Sequence, residues 1–375
     1  MAPQVDTLIS QFLCCTTRFK GDGNRNISGE HGVFPFREGY TTIPPGMPLL
    51  TNDSVMATTR SGRNLVVNLL RELIFLRLSP SSMPHTESSF EVCGRAGPPI
   101  GFSSFFPVVQ ISDQNLRVSV IACSSTGGQN NLHVVYTSTG AEVMRKPFPA
   151  GSGKVTCAAE MGPVGGAGII AGTENGLIII SSITEDPTTS FKVDGSVTSL
   201  AIDPNFIFAS TAESVKVFSF STHPSELLSI NLLPDIPIIK SLLRPAATRS
   251  PLPFSSPKSV PSGCIFFIAG SVIGQVSLDT RKVITESLTT KSVLKSIFYG
   301  PFDNGPVMTV TGKNNELLTW ETGYCLRVAS RYCGKGTMVC AAVSSSRDFP
   351  QVFVASNSMG NKLAITSFGL RHLIN

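Results

Sequence analysis

The segment Gly151-Ser-Gly-Lys154 contains the residue types found in phosphate-binding loops. The backbone amides of a glycine-rich turn, followed by a lysine, can surround a phosphate group. A loop of that kind also needs a glycine where this chain has Phe148, and a serine or threonine that opens a helix where it has Val155. Because Val155 instead begins an apolar run typical of a strand, we interpret the segment as a turn between strands and expect no cofactor.

No other short motif indicates catalysis or a metal site. A serine nucleophile elbow, Gly-x-Ser-x-Gly, is absent, and the carboxylates of Glu185 and Asp186 stand beside Pro187 in a predicted solvated turn. Five histidines occur singly, without the spacing of metal ligands: His31, His85, His133, His223 and His372. We therefore expect neither an enzyme nor a metalloprotein, and no small-molecule substrate.

Nine cysteines indicate free thiols in a reducing compartment. Their number is odd, their spacing is irregular and no two form Cys-x-x-Cys. The first residues lack the basic region of a signal peptide, and the longest apolar run, Cys264 to Gly274, is about half of what a membrane span needs. We expect a cytoplasmic or nuclear protein that does not bind a membrane.

The composition favours an all-β fold. Hydrophobic residues make up 41% of the chain and charged residues 15%, which is too apolar for disorder, while 33 Gly and 26 Pro are too many turn formers for a helical bundle. The net charge of +5 comes from 30 basic and 25 acidic residues, which no segment concentrates into a basic stripe. Charge alone therefore identifies no partner.

A short sequence pattern, which we call the phrase, recurs seven times along the chain. Each copy has two or three apolar residues, a small residue that is usually alanine, and then small or hydroxyl residues. A turn and another apolar stretch follow each copy, and further strand candidates lie before and after most copies, which predicts four strands per unit. The copies are Val55–Thr59, Val120–Ser124, Ile169–Thr173, Ile207–Thr211, Phe267–Ser271, Met308–Gly312 and Phe353–Asn357.

Seven four-stranded units predict a closed β architecture. Residues 54–375 divide into units of about 46 residues, close to the roughly 40 to 45 of a four-stranded propeller blade. We expect a single seven-bladed propeller in which the phrases, as second strands, pack around a central channel. Small residues would relieve crowding there, namely Ala171, Ala209, Ala269 and Ala355.

The unit resembles the WD40 repeat. Its best copy, Asn314 to Leu326, has Trp320-Glu321 where that repeat has Trp-Asp, and Thr322-Gly323 at the next turn. The resemblance covers most of the chain from residue 54. It implies a WD40-like propeller that acts as a non-catalytic scaffold for other proteins in a multiprotein complex. The alternative is a propeller subunit of a ribonucleoprotein or another nucleic-acid-associated complex, where the net positive charge would help.

Two segments fall outside the regular units. Residues 1–53 are predicted to form an irregular arm or a segment that closes the ring, because they show few sustained apolar patterns. Residues 244–263 contain five prolines and interrupt the fifth unit between its first and second strands. We expect this insertion to be a long exposed loop, since prolines cannot serve a central strand and a buried loop would leave backbone groups without partners.

Charged residues in the turns form the predicted partner-binding surface. In WD40-like rings, the turn between the second and third strands and the loop entering the next blade lie on one face, which partners usually use. The resemblance therefore implies a cluster around one mouth of the channel, formed by Arg60, Arg63, Glu174, Glu213, Lys313 and Lys362. Arg60 and Arg63 are expected to contribute most, because few residues dominate an interface and arginine is favoured over lysine.

Overall fold

A computed structural model describes the strands of the whole chain and most of the residues between 141 and 299. The described residues are 37–42, 56–58, 64–69, 72–78, 90–96, 102–112, 117–125, 130–136, 141–161, 168–183, 188–244, 263–287, 292–299, 307–311, 316–320, 327–332, 337–344, 351–358 and 362–369.

Every regular element in these ranges is a β-strand, as the composition predicted. The strands are β1 (Arg37–Thr42), β2 (Met56–Thr58), β3 (Asn64–Leu69), β4 (Glu72–Leu78), β5 (Phe90–Ala96), β6 (Phe102–Ser112), β7 (Arg117–Ser125), β8 (Asn130–Tyr136), β9 (Glu142–Pro147), β10 (Val155–Glu160), β11 (Gly168–Thr173), β12 (Leu177–Ser182), β13 (Thr189–Lys192), β14 (Ser199–Ile202), β15 (Phe206–Ser210), β16 (Ser214–Ser219), β17 (Glu226–Asn231), β18 (Ser241–Leu243), β19 (Cys264–Ala269), β20 (Val272–Ser277), β21 (Val283–Ser287), β22 (Leu294–Tyr299), β23 (Val307–Thr311), β24 (Glu316–Trp320), β25 (Arg327–Tyr332), β26 (Thr337–Ser344), β27 (Gln351–Ser358) and β28 (Lys362–Gly369).

Within the described ranges the strands pair into seven four-stranded antiparallel sheets. Sheets I to VI each hold four consecutive strands, so that sheet I is β2–β5, sheet II β6–β9, sheet III β10–β13, sheet IV β14–β17, sheet V β18–β21 and sheet VI β22–β25. Sheet VII combines β26, β27 and β28 with β1, which pairs along β28 from Arg37 opposite Ser367 to Thr42 opposite Lys362. The last sheet therefore contains a strand from the segment that precedes sheet I.

The first strands of consecutive sheets contact each other in a closed series. The contacts run from β2 through β6, β10, β14, β18, β22 and β26 and return to β2. The prediction that the second strands lie innermost is therefore wrong, because the first strands converge and each second strand lies one position further out. The second strands of sheets III to V are apolar for another reason: neighbouring sheets cover both of their faces.

The core lies between neighbouring sheets. Along β15, Ile207 and Ala209 pack in a cluster with sheet III, while Phe208 packs in a cluster with sheet V. Successive side chains of a strand point to opposite faces, so a strand between two sheets needs apolar residues at every position. This requirement explains the continuous apolar character of the repeated phrase.

The small residues of the phrase are buried where the structure describes their side chains. Ala171, Ala209 and Ala269 are all 0% exposed. A related close approach occurs at Gly274 on β20, which pairs with Phe267 on β19. A β-carbon at Gly274 would lie 2.0 Å from Phe267 Cζ, so this position has space for glycine only.

The first copy of the phrase lies on a different strand from the other six. Met56 to Thr58 form β2, the first strand of sheet I, whereas the other copies lie on the second strands of sheets II to VII. The second strand of sheet I is β3, Asn64–Leu69, although an apolar stretch that follows a copy of the phrase was expected to be a third strand. The error arose because a few apolar residues followed by alanine and threonine also suit a short first strand.

The insertion separates the first and second strands of sheet V, as predicted. β18 ends at Leu243 and β19 begins at Cys264. Residues 245–262 lie outside the described residues, so their predicted exposure remains a prediction.

Hydroxyl groups couple neighbouring sheets where the first strands begin. The Thr156 hydroxyl of β10 lies within hydrogen-bond distance of the Val197 carbonyl, in the linker that enters sheet IV. In the same way the Leu242 backbone N–H of β18 donates to Ser199 Oγ of β14 at 2.9 Å. These bonds satisfy backbone groups that would otherwise be buried without partners between sheets.

Candidate functional site

The connection between β11 and β12 packs tightly against the linker that enters sheet IV. Leu177 N donates to Thr173 Oγ1 at 3.0 Å, and Val193 N donates to the Gly176 carbonyl at 2.8 Å. Gly176 has a φ of 77°, and a β-carbon there would lie 2.3 Å from the Val193 carbonyl oxygen. The connection is thus held on both sides, and its exposed residues Glu174 and Asn175 have a fixed backbone.

Glu174 uses its carboxylate to hold the Gly-Ser-Gly-Lys segment. Lys154 N donates to Glu174 Oε1 at 2.7 Å, and Glu174 N donates back to the Lys154 carbonyl at 2.9 Å. Asn175 Nδ2 donates to the Gly151 carbonyl at 3.1 Å. The Lys154 amide, which a phosphate would need, is therefore occupied by a carboxylate of the same chain. The segment is the predicted turn between strands, since it joins β9 to β10.

The connection between β15 and β16 is built in a similar way. Thr211 Oγ1 accepts hydrogen bonds from Glu213 N at 3.3 Å and from Ser214 N at 3.2 Å. The Glu213 carbonyl accepts from Leu232 N at 2.8 Å, at the start of the linker that enters sheet V. The Glu213 side chain is exposed and has no hydrogen bond or ion pair among the described residues.

We call this side of sheets III to V the linker end. It carries the connections between second and third strands together with the linkers that join one sheet to the next. Glu174 and Glu213 both lie on it, because each follows a second strand. The other end, where first strands connect to second strands, holds the insertion of sheet V and is called the insertion end.

The side chains of the other four predicted residues are not described. Lys362 is the first residue of β28, opposite Ser358 and Thr42, and only its backbone is described. Arg60, Arg63 and Lys313 lie outside the described residues. The chain from Thr58 to Asn64, which includes both arginines, joins a first strand to a second strand, whereas Glu174 and Glu213 follow second strands. The described part of the predicted cluster therefore consists of the two glutamates.

Sequence reasoning missed the most exposed apolar residues of the linker end. Leu233 and Ile238, in the linker from β17 to β18, are 49% and 64% exposed, and Val293, which precedes β22, is 46% exposed. The sequence from Leu232 to Lys240 could have indicated these residues. Two prolines and an aspartate interrupt its apolar residues, so this segment cannot form a regular strand.

A buried ion pair lies at the insertion end. Arg244 Nε donates to Asp203 Oδ2 at 3.2 Å, and the two side chains are 9% and 7% exposed. Arg244 Nη1 also donates to the Cys264 carbonyl at 2.9 Å, and its guanidinium carbon lies 5.1 Å from the centre of the Phe208 ring. Arg244 therefore joins the first strand of sheet V to both the second strand of that sheet and sheet IV.

Both stems of the insertion are fixed by carboxylates. Asp203 Oδ1 accepts from the backbone N–H groups of Asn205 and Phe206 at 2.9 and 2.8 Å, which holds Asp203 in place for Arg244. At the other stem, Gly263 N donates to Asp279 Oδ2 at 2.9 Å. The insertion thus begins and ends at anchored residues.

The described cysteines do not resemble reactive thiols. Cys93, Cys157 and Cys264 are free thiols, as predicted. Cys123 and Cys340 are described only by their backbone, and the other four cysteines lie outside the described residues. Burial raises the pKa of Cys157 to about 12, against smaller lowering effects of hydrogen bonds with Thr156 and Gly172. The pKa of Cys264 is also raised by burial, which outweighs the opposing charge of Arg244. Thiols with raised pKa values are poor nucleophiles at neutral pH.

The described ranges contain neither a metal-binding cluster nor a membrane-spanning helix. No three His, Cys, Asp or Glu side chains in those ranges come together in an arrangement able to hold a metal ion. The same part of the chain contains no helix with the length and apolar character that a membrane crossing requires.

Comparison with known proteins shows the fold. The chain matches no protein-family model and no curated protein sequence. Among solved structures, a chain in the crystal structure of the mitotic checkpoint complex is similar at 12% identity, over 94% of this chain and 98% of that chain, with a TM-score of 0.60. The WD40 β-propeller domain of Doa1 is similar at 10% identity, over 90% of this chain and 97% of that domain, also with a TM-score of 0.60. The chain therefore has a WD40-like β-propeller fold, as the repeated phrase indicated.

Proposed function

We propose that this chain is a single seven-bladed propeller that acts as a non-catalytic scaffold for other proteins in a multiprotein complex. The closed series of contacts between first strands supports one ring with the seven sheets as its blades. The pairing of β1 with β28 supports a ring-closing role for the segment 1–53, because β1 is the fourth strand of sheet VII.

The main support for this function is that the linker end is continuous across sheets III to V. Gly176 contacts the linker at Val193, and a β-carbon at Gly195 of that linker would lie 3.8 Å from Thr211. Glu213 then bonds to Leu232 in the next linker. Successive connections thus support one another and present a broad, rigid surface, which is what a scaffold needs to bind partners without a large ordering cost.

The nature of the surface agrees with protein binding. It carries exposed apolar and charged side chains, whereas the buried groups of the described residues serve packing and sheet pairing. The similar chain in the mitotic checkpoint complex is itself part of a multiprotein assembly. We place the interaction surface at the linker end, with Glu213 as its best-placed predicted residue. Glu174 contributes less, since its carboxylate already bonds to Lys154 N.

The test is recovery of partners with a charge-reversed surface. The tagged full-length chain is purified from cells that produce it naturally, and stoichiometric partners are identified and quantified by mass spectrometry. We expect Glu213→Lys to lose at least one partner, while the matched control Lys282→Glu, exposed at the insertion end, retains all of them. Absence of any stoichiometric partner, or equal losses in both variants, contradicts the proposal.

A further inference from the structure

We propose that the linker end of sheets IV and V binds a partner segment in which an apolar side chain is flanked by lysine or arginine. This inference rests on the proposed scaffold function and adds the chemistry of the partner. We call the surface the apolar linker surface; it consists of Leu233, Ile238 and Val293 with the carboxylates of Glu213 and Asp235.

Three of the four exposed large hydrophobic residues in the described ranges lie on this surface. The fourth, Ile284, lies on β21 at the outer edge of sheet V. Single exposed apolar residues are common on protein surfaces, but a group of them rimmed by polar residues marks an interaction site. The concentration of three such residues on two linkers is therefore the first argument for a docking surface.

The two linkers meet at the connection between β19 and β20. A β-carbon at Gly270 would lie 3.6 Å from Pro237 Cγ, and the Gly270 carbonyl accepts from Leu294 N at 2.8 Å. Ile238 and Val293, which are next in sequence to Pro237 and Leu294, thus stand on either side of one turn. Because proline fixes its own φ, Pro234 and Pro237 also limit the conformations of the linker, so little order has to be gained on binding.

Two exposed carboxylates set the charge of the expected partner. Glu213 bonds through its carbonyl to the start of the linker, and Asp235 is a residue of the linker. Among the described residues neither side chain has a hydrogen bond or ion pair. The nearby Lys216 does not neutralise them, because its side chain is 12% exposed and its Nζ lies 3.3 Å from Glu226 Oε2 and 3.7 Å from Asp194 Oδ2. Lys240 is the single cation of the linker from β17 to β18, so this linker and Glu213 together supply two carboxylates and one ammonium group. Lys291 of the second linker lies outside the described residues.

A protein segment with basic and apolar residues fits this combination better than nucleic acid does. Phosphate groups would be repelled by Glu213 and Asp235, and nucleic-acid surfaces instead place Lys or Arg toward the backbone. Lysine and arginine of a partner would find two unpaired carboxylates, and complementary charge raises association rates and specificity. The apolar side chain between them would cover Leu233 and Ile238, which supplies the desolvated centre where binding energy concentrates.

The experiment uses the full-length chain and two matched peptide arrays. In the first array each peptide carries one Leu, Ile or Phe flanked by Lys or Arg on a Gly/Ser background, and in the second Glu or Asp replaces the basic residues. Peptides that bind are remade in solution and their Kd is measured by fluorescence anisotropy. We expect selective binding in the first array, and a loss of affinity of about tenfold or more for the double variant Leu233→Ser/Ile238→Ser.

Two further variants keep the result interpretable. Ile284→Ser removes a comparably exposed side chain from the edge of sheet V and is expected to leave the Kd unchanged. The double variant Glu213→Lys/Asp235→Lys is expected to prefer the acidic array. Equal binding to both arrays, or an unchanged Kd in Leu233→Ser/Ile238→Ser, overturns the inference. Partners that still co-purify with Leu233→Ser/Ile238→Ser would show that the scaffold function stands while this docking surface is wrong.

Discussion

The guanidinium of Arg244 and the carboxylate of Asp203 form a buried bond between sheets V and IV, with Nε 3.2 Å from Oδ2. The two residues are 41 positions apart in sequence. Because Arg244 also precedes the insertion, the same bond that joins two sheets fixes the point at which the insertion leaves the fold.

Removing one partner of this pair should destabilise the protein. Arg244→Ala leaves the Asp203 carboxylate, whose side chain is 7% exposed, with only its backbone partners Asn205 and Phe206, and we expect a loss of about 1 to 3 kcal/mol in the free energy of unfolding. Adding Asp203→Asn removes that charge, so the double variant should lose less than the sum of the single variants. Urea unfolding provides the measurement, with the exposed Lys282→Ala expected to stay within about 0.5 kcal/mol of the parent. Additive losses would argue against the pair.

Replacing a buried alanine with a large residue should also lower the free energy of unfolding. Ala209 is fully buried between sheets III and IV, so Ala209→Phe is expected to lower the free energy of unfolding by about 1 to 3 kcal/mol through overpacking. The matched control is Ala212→Phe in the exposed connection that follows. A melting temperature that is lower in Ala209→Phe alone supports the packing, and equal melting temperatures contradict it.

The thiol of Cys157 should make stability fall at high pH. Its pKa is about 12 in the folded chain against 9.0 for an unperturbed thiol, so between these values the unfolded chain releases a proton that the folded chain keeps. The contribution of this thiol to stability is therefore complete below pH 9 and is lost as pH rises toward 12. We expect Cys157→Ala to show a shallower decline in the free energy of unfolding above pH 9. Parallel declines in parent and variant would show that other groups cause the effect.

Limited proteolysis should cut first between residues 244 and 263. The prolines and polar residues of the insertion predict an exposed loop, and Asp203 and Asp279 hold its two stems to the fold. We therefore expect two fragments that stay associated in size-exclusion chromatography and separate only in denaturant. Earlier cleavage at the turns between strands would contradict the loop assignment.

The sequence was sufficient to predict the strands because the phrase reflects a physical requirement. Strands covered on both faces must be apolar throughout, as Ile207, Phe208 and Ala209 show. The apolar pattern of the phrase does not show which strand of each sheet lies innermost, because that depends on which strands of neighbouring sheets converge. For that reason the phrase predicts a strand one position further inward than the structure has. Its first copy was misleading for a different reason, since Met56 to Thr58 also suit a short first strand.

The candidate site could be predicted only in part. The position of Glu174 and Glu213 after second strands could be predicted because turns follow the phrase at a constant distance, whereas their role in binding stays a prediction. Leu233 and Ile238 were not identified, because the sequence does not show which apolar residues of their linker the neighbouring sheets leave exposed: Ile238 is 64% exposed, whereas Ile239 is fully buried. The ion-pair partner of Arg244 could not be predicted either, because nothing near Arg244 in the sequence indicates Asp203.

The pairing of β1 with β28 also bears on how the chain folds during synthesis. Sheets I to VI can each assemble from consecutive strands as they leave the ribosome, whereas β1 must wait for the last strands to be made. Until then β1 has no partner strand. A chain that lacks residues 1–53 would instead leave β28 without its outer neighbour, and the backbone N–H and C=O groups of β28 would form a free edge of the kind that pairs with other chains. Aggregation rather than simple unfolding would be the mode of failure of such a chain.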